Sequence, residues 1–279
     1  VQLLALSVFE WPLRVLVMAA QIDAGMWVRN GTSVQEQVLN YRCISPPLCK
    51  YMVDLDLLLV QLGTLLVGHE HFIAAVIHKF ALAEWFFGSR ALPTLSAAGQ
   101  TPEHQLVLAE EMLRLLLVVC TELPWPGVAQ AQSAELRREL VHLLAARPCS
   151  YSELADCCFF ADMEEGSMAN LLDATLQQIA QTTSGESSAG CKYELRKECL
   201  CEYDPCFYHL SRQDHAEAQE RLRFKAGASP APLPISASPP AHHPCFGSVR
   251  QLALQPALVL MARRVLADAL DEQPHRASS

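Results

Sequence analysis

Positive charge is scarce in this chain. Its 279 residues hold 21 Lys and Arg against 30 Asp and Glu, a formal charge of −9. A surface of that sign is repelled by a phosphate backbone, which argues against nucleic acid as a main partner. Aromatic residues make up only 7%, while Leu and Ala are abundant, a composition that favours helices packed on helices. No apolar run reaches the roughly 20 residues that span a bilayer. The best candidate, LDLLLVQLGTLLVG at 55–68, contains Gln61 and sits between Asp54 and His69, so a buried helix is expected and no membrane partner. The chain opens on Val1 without a basic start and a small-residue cleavage site; a piece of a longer protein is expected rather than a secretory precursor. There is no G-x-S-x-G, no phosphate-cradling glycine loop and no internal repeat. No catalytic, cofactor-binding or metal-ligating residue is assigned.

What is present is apolar: 51% of residues are hydrophobic and 18% charged, ample for a core. Pro12 suits the first turn of a helix, and apolar residues then run almost unbroken from Leu13 to Val28. Arg29, Asn30 and Gly31 read as its stop, a cation and a left-handed glycine at the negative end of the dipole. Trp27 beside that stop reads as an anchor into the next helix layer more readily than as a contact site. Ser33 and Glu36 form a capping box for a short helix, broken by Pro46 and Pro47. Two apolar helices are expected at about 54–67 and 70–87, then a loop at 88–101. Thr101 and Pro102 open a long helix through Cys120, closed by LPWPG at 123–127.

A different pattern begins at Ser133. Leu136, Leu140, Leu143 and Leu144 mark one face of an amphipathic helix with Glu135, Arg137, Arg138 and Glu139 between them. Pro148 stops it. Ser150 with Glu153 opens a short helix ending near Cys158, and Ser167 caps a third. After TTSGESSAG (182–190), alternation at Cys191, Tyr193 and Leu195 predicts a strand. Helix, short helix, helix, hairpin is the order of a winged helix. From Tyr151 to Thr183 there are six acidic residues and no Lys or Arg. That suits a protein partner and not DNA.

The fold class expected is mainly α: a helical scaffold over 1–125, then a winged-helix module with a small β-hairpin over 130–200. A polar helix follows at 207–226, with Ser211 and Asp214 as its capping signals, then a linker at 229–244 with six prolines, extended for that reason. A further helical region starts at 245–271, with an interruption at Pro256 and a disordered tail beyond.

Eleven cysteines at irregular spacing do not read as a secreted disulfide framework; reduced thiols of the cytosol or nucleus, mostly acting as small hydrophobes, are expected. Cys191, Cys199, Cys201, Cys206 and His209 fall within nineteen residues and invite a zinc reading. Only Cys206 and His209 form a close pair of the kind structural zinc sites use. HEHF at 69–72 lacks the H-E-x-x-H spacing, with His78 too far along to share a face. His242 and His243 lie in the proline linker, where nothing holds a ligand set.

Taken in order, WPLRVLVMAAQIDAGMWVRNG, DLDLLLVQL, HFIAAVIHKFAL, LAEEMLRLLL, ELRRELVHLLAARPCSYSELA, KYELRKEC and FYHLSRQDHAEAQERLRF resemble the central scaffold of the UBR-box E3 ubiquitin ligases, the N-recognins. The resemblance covers about 10–225 and weakly 244–270. It implies a non-catalytic scaffold, with Trp27, Leu115 and Leu140 acting through packing. It also implies a parent with zinc in a UBR box and a RING domain, and a ubiquitin-conjugating enzyme and N-degron substrates as partners. None of those cysteine–histidine patterns stands in this chain, so no cofactor is expected here. Cys199 sits where the family pattern tolerates a cysteine; Cys201 and Cys206 match nothing required, and GCKYELRKEC departs from the usual Gly-Met-Tyr at the wing. A free-standing winged-helix interaction protein is the alternative.

Overall fold

The computed structural model describes residues 2–26, 31–42, 50–88, 101–122, 129–157, 165–184, 191–225 and 246–276. In chain order the elements are α1 (Gln2–Asp23), α2 (Gly31–Arg42), α3 (Lys50–Val67), α4 (His69–Lys79), α5 (Ala83–Phe87), α6 (Pro102–Thr121) and α7 (Ala129–Ala146). Then come β1 (Cys149–Ser150), α8 (Tyr151–Cys157), α9 (Glu165–Ile179), β2 (Ala180–Ser184) and β3 (Cys191–Leu195). A 3-10 turn (Lys197–Glu202), α10 (Arg212–Lys225), a second 3-10 turn (Val249–Leu254) and α11 (Pro256–Arg276) complete them. They form two compact units, one of residues 1–38, 54–124 and 240–279, the other of 39–53 and 125–239.

The first unit is helical. Phe9, Leu13, Leu16, Val17 and Ala20 give α1 one buried stripe. The helix begins ten residues before Pro12, which lies in its interior, not in a first turn. The upstream turns persist because Phe9 is 1% exposed, its ring 5.7 Å from that of Phe72. Burying a Phe yields about 1.5–3 kcal/mol, comparable with the ~3 kcal/mol cost of an interior proline. The stop also differs from expectation. Met26 N–H donates to Gln21 O at 3.1 Å and Gly25 N–H to Ile22 O at 2.9 Å, with Gly25 at φ 77°. That is a Schellman motif on Gly25, not Gly31. Gly31 instead opens α2, so Ser33 lies inside that helix. Trp27, Arg29, Pro46, Pro47, 123–127 and 229–244 lie outside the described residues.

Gly68 (φ 80°) separates α3 from α4. The helix expected over 70–87 breaks after Lys79. Leu82 N–H reaches Ile77 O and Ala81 N–H reaches His78 O, both at 3.0 Å, a second Schellman motif with Ala81 at φ 57°. Phe80, Ala81 and Leu82 are all buried there; packing holds a left-handed alanine that sequence gave no reason to expect. α6 opens as expected, His104 N–H donating to Thr101 Oγ1 at 3.3 Å with Pro102 next to the cap.

Two details hold this unit together. Gly63 faces Phe9 so closely that an added Cβ would come within 2.2 Å of the ring. Gln61, fully buried in the apolar run, donates its amide to Val119 O at 3.0 Å and to Glu122 O, capping the carbonyl end of α6. Residues 246–276 are not a separate start. Their 3-10 turn and α11 pack on α6 and α4. Trp85 Nε1–H donates to Asp268 Oδ2 at 3.1 Å, under the Arg264 guanidinium 4.7 Å above its ring.

The second unit has the winged-helix order α7-β1-α8-α9-β2-β3. Its sheet has three strands, β1-β3-β2, with Cys149 opposite Tyr193 and Thr182 opposite Tyr193 on the other side. The hairpin was legible; β1 was not, because a two-residue strand has no period. α10 is less polar than it reads. His215, Ala218 and Leu222 are buried and seat it on α7.

Two outcomes follow. Gly63→Ala lowers stability by about 1–3 kcal/mol through overpacking; an unchanged urea midpoint contradicts the close approach. Gln61→Glu sets a buried carboxylate against two carbonyl oxygens and costs about 3–5 kcal/mol at pH 7. The melting temperature of the variant should partly recover in acid, and equal melting of variant and parent chain at pH 7 rules the cap out.

Candidate functional site

The densest polar chemistry lies where α7 meets the segment 197–215. Helix α7 was expected to keep its charged residues on a solvated face. Arg137 and Arg138 do stay half-buried, but Glu139 is 4% exposed and His142 fully buried. The reason is cover from several elements: α9, β3, α10 and the 3-10 turn all pack on α7.

Arg137 grips Glu202 with two parallel bonds, Nε to Oε2 at 2.8 Å and Nη2 to Oε1 at 2.7 Å, a fork geometry lysine could not supply. It also donates to Gln178 on α9 at 3.2 Å. This pairing holds the Glu202 carboxyl below the usual carboxylate range. Arg138 lies 4.9 Å over the Phe207 ring and 3.5 Å from Asp204.

Three imidazoles then pin residues 203–211. His142 Nδ1–H donates to Arg138 O at 2.7 Å, and its Nε2 accepts from Asp204 N–H at 2.9 Å; that pairing exists only for the neutral ring. The ring stacks on Phe207 at 4.0 Å. Burial pushes its pKa down to about 4, against the raising effect of the Arg138 carbonyl. Tyr203 hydroxyl donates to His215 Nδ1 at 2.7 Å, and His215 Nε2–H donates to Phe207 O at 2.7 Å. His209 Nδ1 lies 2.5 Å from Glu139 Oε1 with both side chains buried. Both ring nitrogens of His142 and of His215 are thus engaged by protein. The arrangement locks a segment; it presents no free base.

The cysteines singled out by sequence are not gathered. Cys199 is buried, its Sγ 3.8 Å from Arg137 Nη2, and burial raises its pKa. Cys201 is exposed and donates to Glu198 O; Cys191 is exposed on β3 and Cys206 half-buried. Among the described residues no group of three or more His, Cys, Asp or Glu is placed to hold a metal. In HEHF, His69 accepts from Gln255 at 3.4 Å, while His71 and His78 are exposed. Of the residues expected to pack, Leu140 is fully buried and Leu115 half-buried.

Two of the capping boxes came out as read, whereas Ser33 and Ser167 lie inside their helices. Ser150 N–H and hydroxyl both donate to Glu153 Oε2, at 2.7 and 2.8 Å. With Arg147 at 2.7 Å, these bonds hold the Glu153 carboxyl down at about 2. Ser211 and Asp214 repeat the device, Asp214 N–H reaching Ser211 Oγ at 3.0 Å. Helix α9, which starts two residues before Ser167, exposes Asn170, Asp173 and Gln177 and no cation.

Comparison with known proteins gives this architecture a family. Residues 2–94 match the UBR1/2/3-like ARM repeat domain, and residues 135–229 match the UBR1-like E3 ubiquitin-protein ligase winged-helix domain. The chain belongs to the UBR1/UBR2 family. The mouse E3 ubiquitin-protein ligase UBR2 is 31% identical over 248 residues, 86% of this chain and 14% of the relative. Human UBR1 is 32% identical over 213 residues, 75% and 12%. The Arabidopsis ligase PRT6 is 27% identical over 222 residues, 80% and 10%. The chain therefore spans about a seventh or less of these UBR relatives.

Of the three buried histidines, sequence singled out only His209, and that as a metal candidate; His142 and His215 went unnoticed. The available signal was the stripe His215, Ala218, Leu222, which buries an imidazole if α10 packs at all. Protonating His142 must break its bond to Asp204. With a folded pKa near 4 below the ordinary 6.5, stability is complete above pH 6.5 and falls as pH drops towards 4, by about 3 kcal/mol. Urea unfolding at pH 7 and pH 4.5 should show a weaker pH dependence in His142→Gln than in the parent chain; identical slopes contradict a neutral buried imidazole.

Proposed function

We propose that this chain is a non-catalytic scaffold portion of a RING-type E3 ubiquitin-protein ligase of the N-degron pathway. The observation that carries the reading is the succession of two family matches, ARM repeat then winged helix, the first falling mostly on the first unit and the second within the second. The relatives are E3 ubiquitin-protein ligases, which supports ubiquitin transfer by the whole protein.

On this reading no bond is made or broken on these residues. A RING-type ligase forms no thioester with ubiquitin. It holds a substrate lysine near the loaded conjugating enzyme, and the rate gain is one of effective concentration and orientation. Stiff bodies preserve that gain and loose ones dilute it. The partners are a ubiquitin-conjugating enzyme and substrates with destabilising N-terminal residues, bound by other parts of the protein. Zinc belongs to the UBR box and RING of those parts, and the site of action is the cytosol or nucleus. Among the described residues no helix is long and apolar enough to cross a membrane.

The test uses the full-length protein with activating and conjugating enzymes. A reporter with a destabilising N-terminal residue should be ubiquitinated, and the same reporter beginning with Met should not. Leu140→Asp, which opens the winged-helix core, should cut transfer by about tenfold or more while reporter affinity changes less than twofold. Full transfer by that variant, or none by the parent protein, overturns the scaffold reading.

A further inference from the structure

Helices α6 and α11 meet along a groove that nothing among the described residues fills. Its volume is about 490 Å³, and Leu113, Leu116, Leu117 and Cys120 line one wall, Leu258, Val259, Ala262, Arg263 and Leu266 the other, with Ala253 at the end. The α6 residues recur at i, i+3, i+4, i+7 and those of α11 at i, i+1, i+4, i+5, i+8, so each wall is a continuous helical stripe. The stripe from 258 to 266 runs roughly 12 Å, about two turns. Val259 is 61% exposed and Leu266 65% exposed, although both stand on a helix whose other face is buried at Met261 and Val265. Adjacent exposed aliphatics on two helices form the kind of patch that marks an interaction surface.

Arg263 says what fits. Among the described residues it is the one charged side chain of the lining. Its neighbour Arg264 is engaged by Trp85 and Asp268, whereas Arg263 has no ion pair among the described residues. It sits midway along the stripe. In a two-fold dimer through this groove a central residue meets its own symmetry mate, so a second copy would set Arg263 against Arg263. An occupant with carboxylates at that point is favoured instead.

We propose that the α6–α11 groove docks an amphipathic helix of a separate protein, apolar at i, i+3/i+4 and i+7, with a carboxylate beside that stripe to meet Arg263. This is helix-in-groove recognition. It is independent of the ligase reading, since any protein with this surface would bind such a helix.

The probe is a fluorescein-labelled 16-residue helical peptide with Leu on the stripe and Glu on its flank, compared with a Lys-flanked twin. Fluorescence anisotropy with this chain should show the Glu peptide binding about tenfold tighter. Arg263→Glu should reverse that preference, and Val259→Glu should abolish binding of both. Both positions are exposed, and unchanged thermal melting confirms that the variants fold. Equal affinity for the two peptides, or none for either, overturns the proposal. So does a dimer in sedimentation that Val259→Glu dissolves, which makes the occupant a second copy. Failure of the full-length protein to bind a peptide that this chain binds also overturns it, because the groove is then filled from within the same polypeptide.

Discussion

From Glu139 to Ala146 every residue of α7 is buried, and two of those positions carry ionisable groups. A helix covered on all sides cannot leave a polar side chain to water, so Glu139 and His142 had to find partners inside the protein. His209 and the Asp204 amide supply them. The rest of the second unit follows from that requirement. Asp204 and His209 must lie against α7, which draws the segment 203–211 across it. That segment places Phe207 against His142 and leaves its carbonyl for His215, and His215 brings α10 down onto α7.

In the first unit two neutral groups meet the same constraint. Gln61 spends its amide on the open carbonyls of α6, and Thr64 closes on Val60 O within its own helix at 3.0 Å. Gly63 contributes by having no side chain where Phe9 must pass. In both units the buried polar groups engage the protein's own backbone and side chains. That is consistent with a scaffold whose recognition chemistry is worn on the outside. The exposed aliphatics of α11 and the cation-free face of α9 are surfaces of that kind.

What sequence revealed and what it concealed divide along a physical line. Several signals carried by three or four adjacent residues were legible, among them Thr101–Pro102, the Ser150–Glu153 box, the Ser211–Asp214 box and the helix–helix–hairpin order, while the Ser33–Glu36 box and the Ser167 cap fell inside their helices. Features decided by distant contacts were not. Pro12 sits within a helix because Phe9 finds Phe72 and Gly63. Ala81 is left-handed because Phe80 and Leu82 are buried. β1 exists because β3 passes beside it, and α11 returns to α4 and α6 because Trp85 and Asp268 meet across 183 residues. For the polar core, the charged positions of α7 were read as solvated because nothing local announces that a helix will be covered on its second side. For the cysteines at 191–206, proximity in sequence did not become a group of three or more metal-ligating side chains among the described residues.

The central claim is that the buried turns of α7 are the most stable part of their unit. Native-state hydrogen exchange tests it most directly. Amides of residues 140–146 should exchange only through global unfolding, with protection equal to the full unfolding free energy, while those of α8 exchange by local opening. Exchange of the α7 amides at subglobal free energies, as fast as those of α8, would contradict the account.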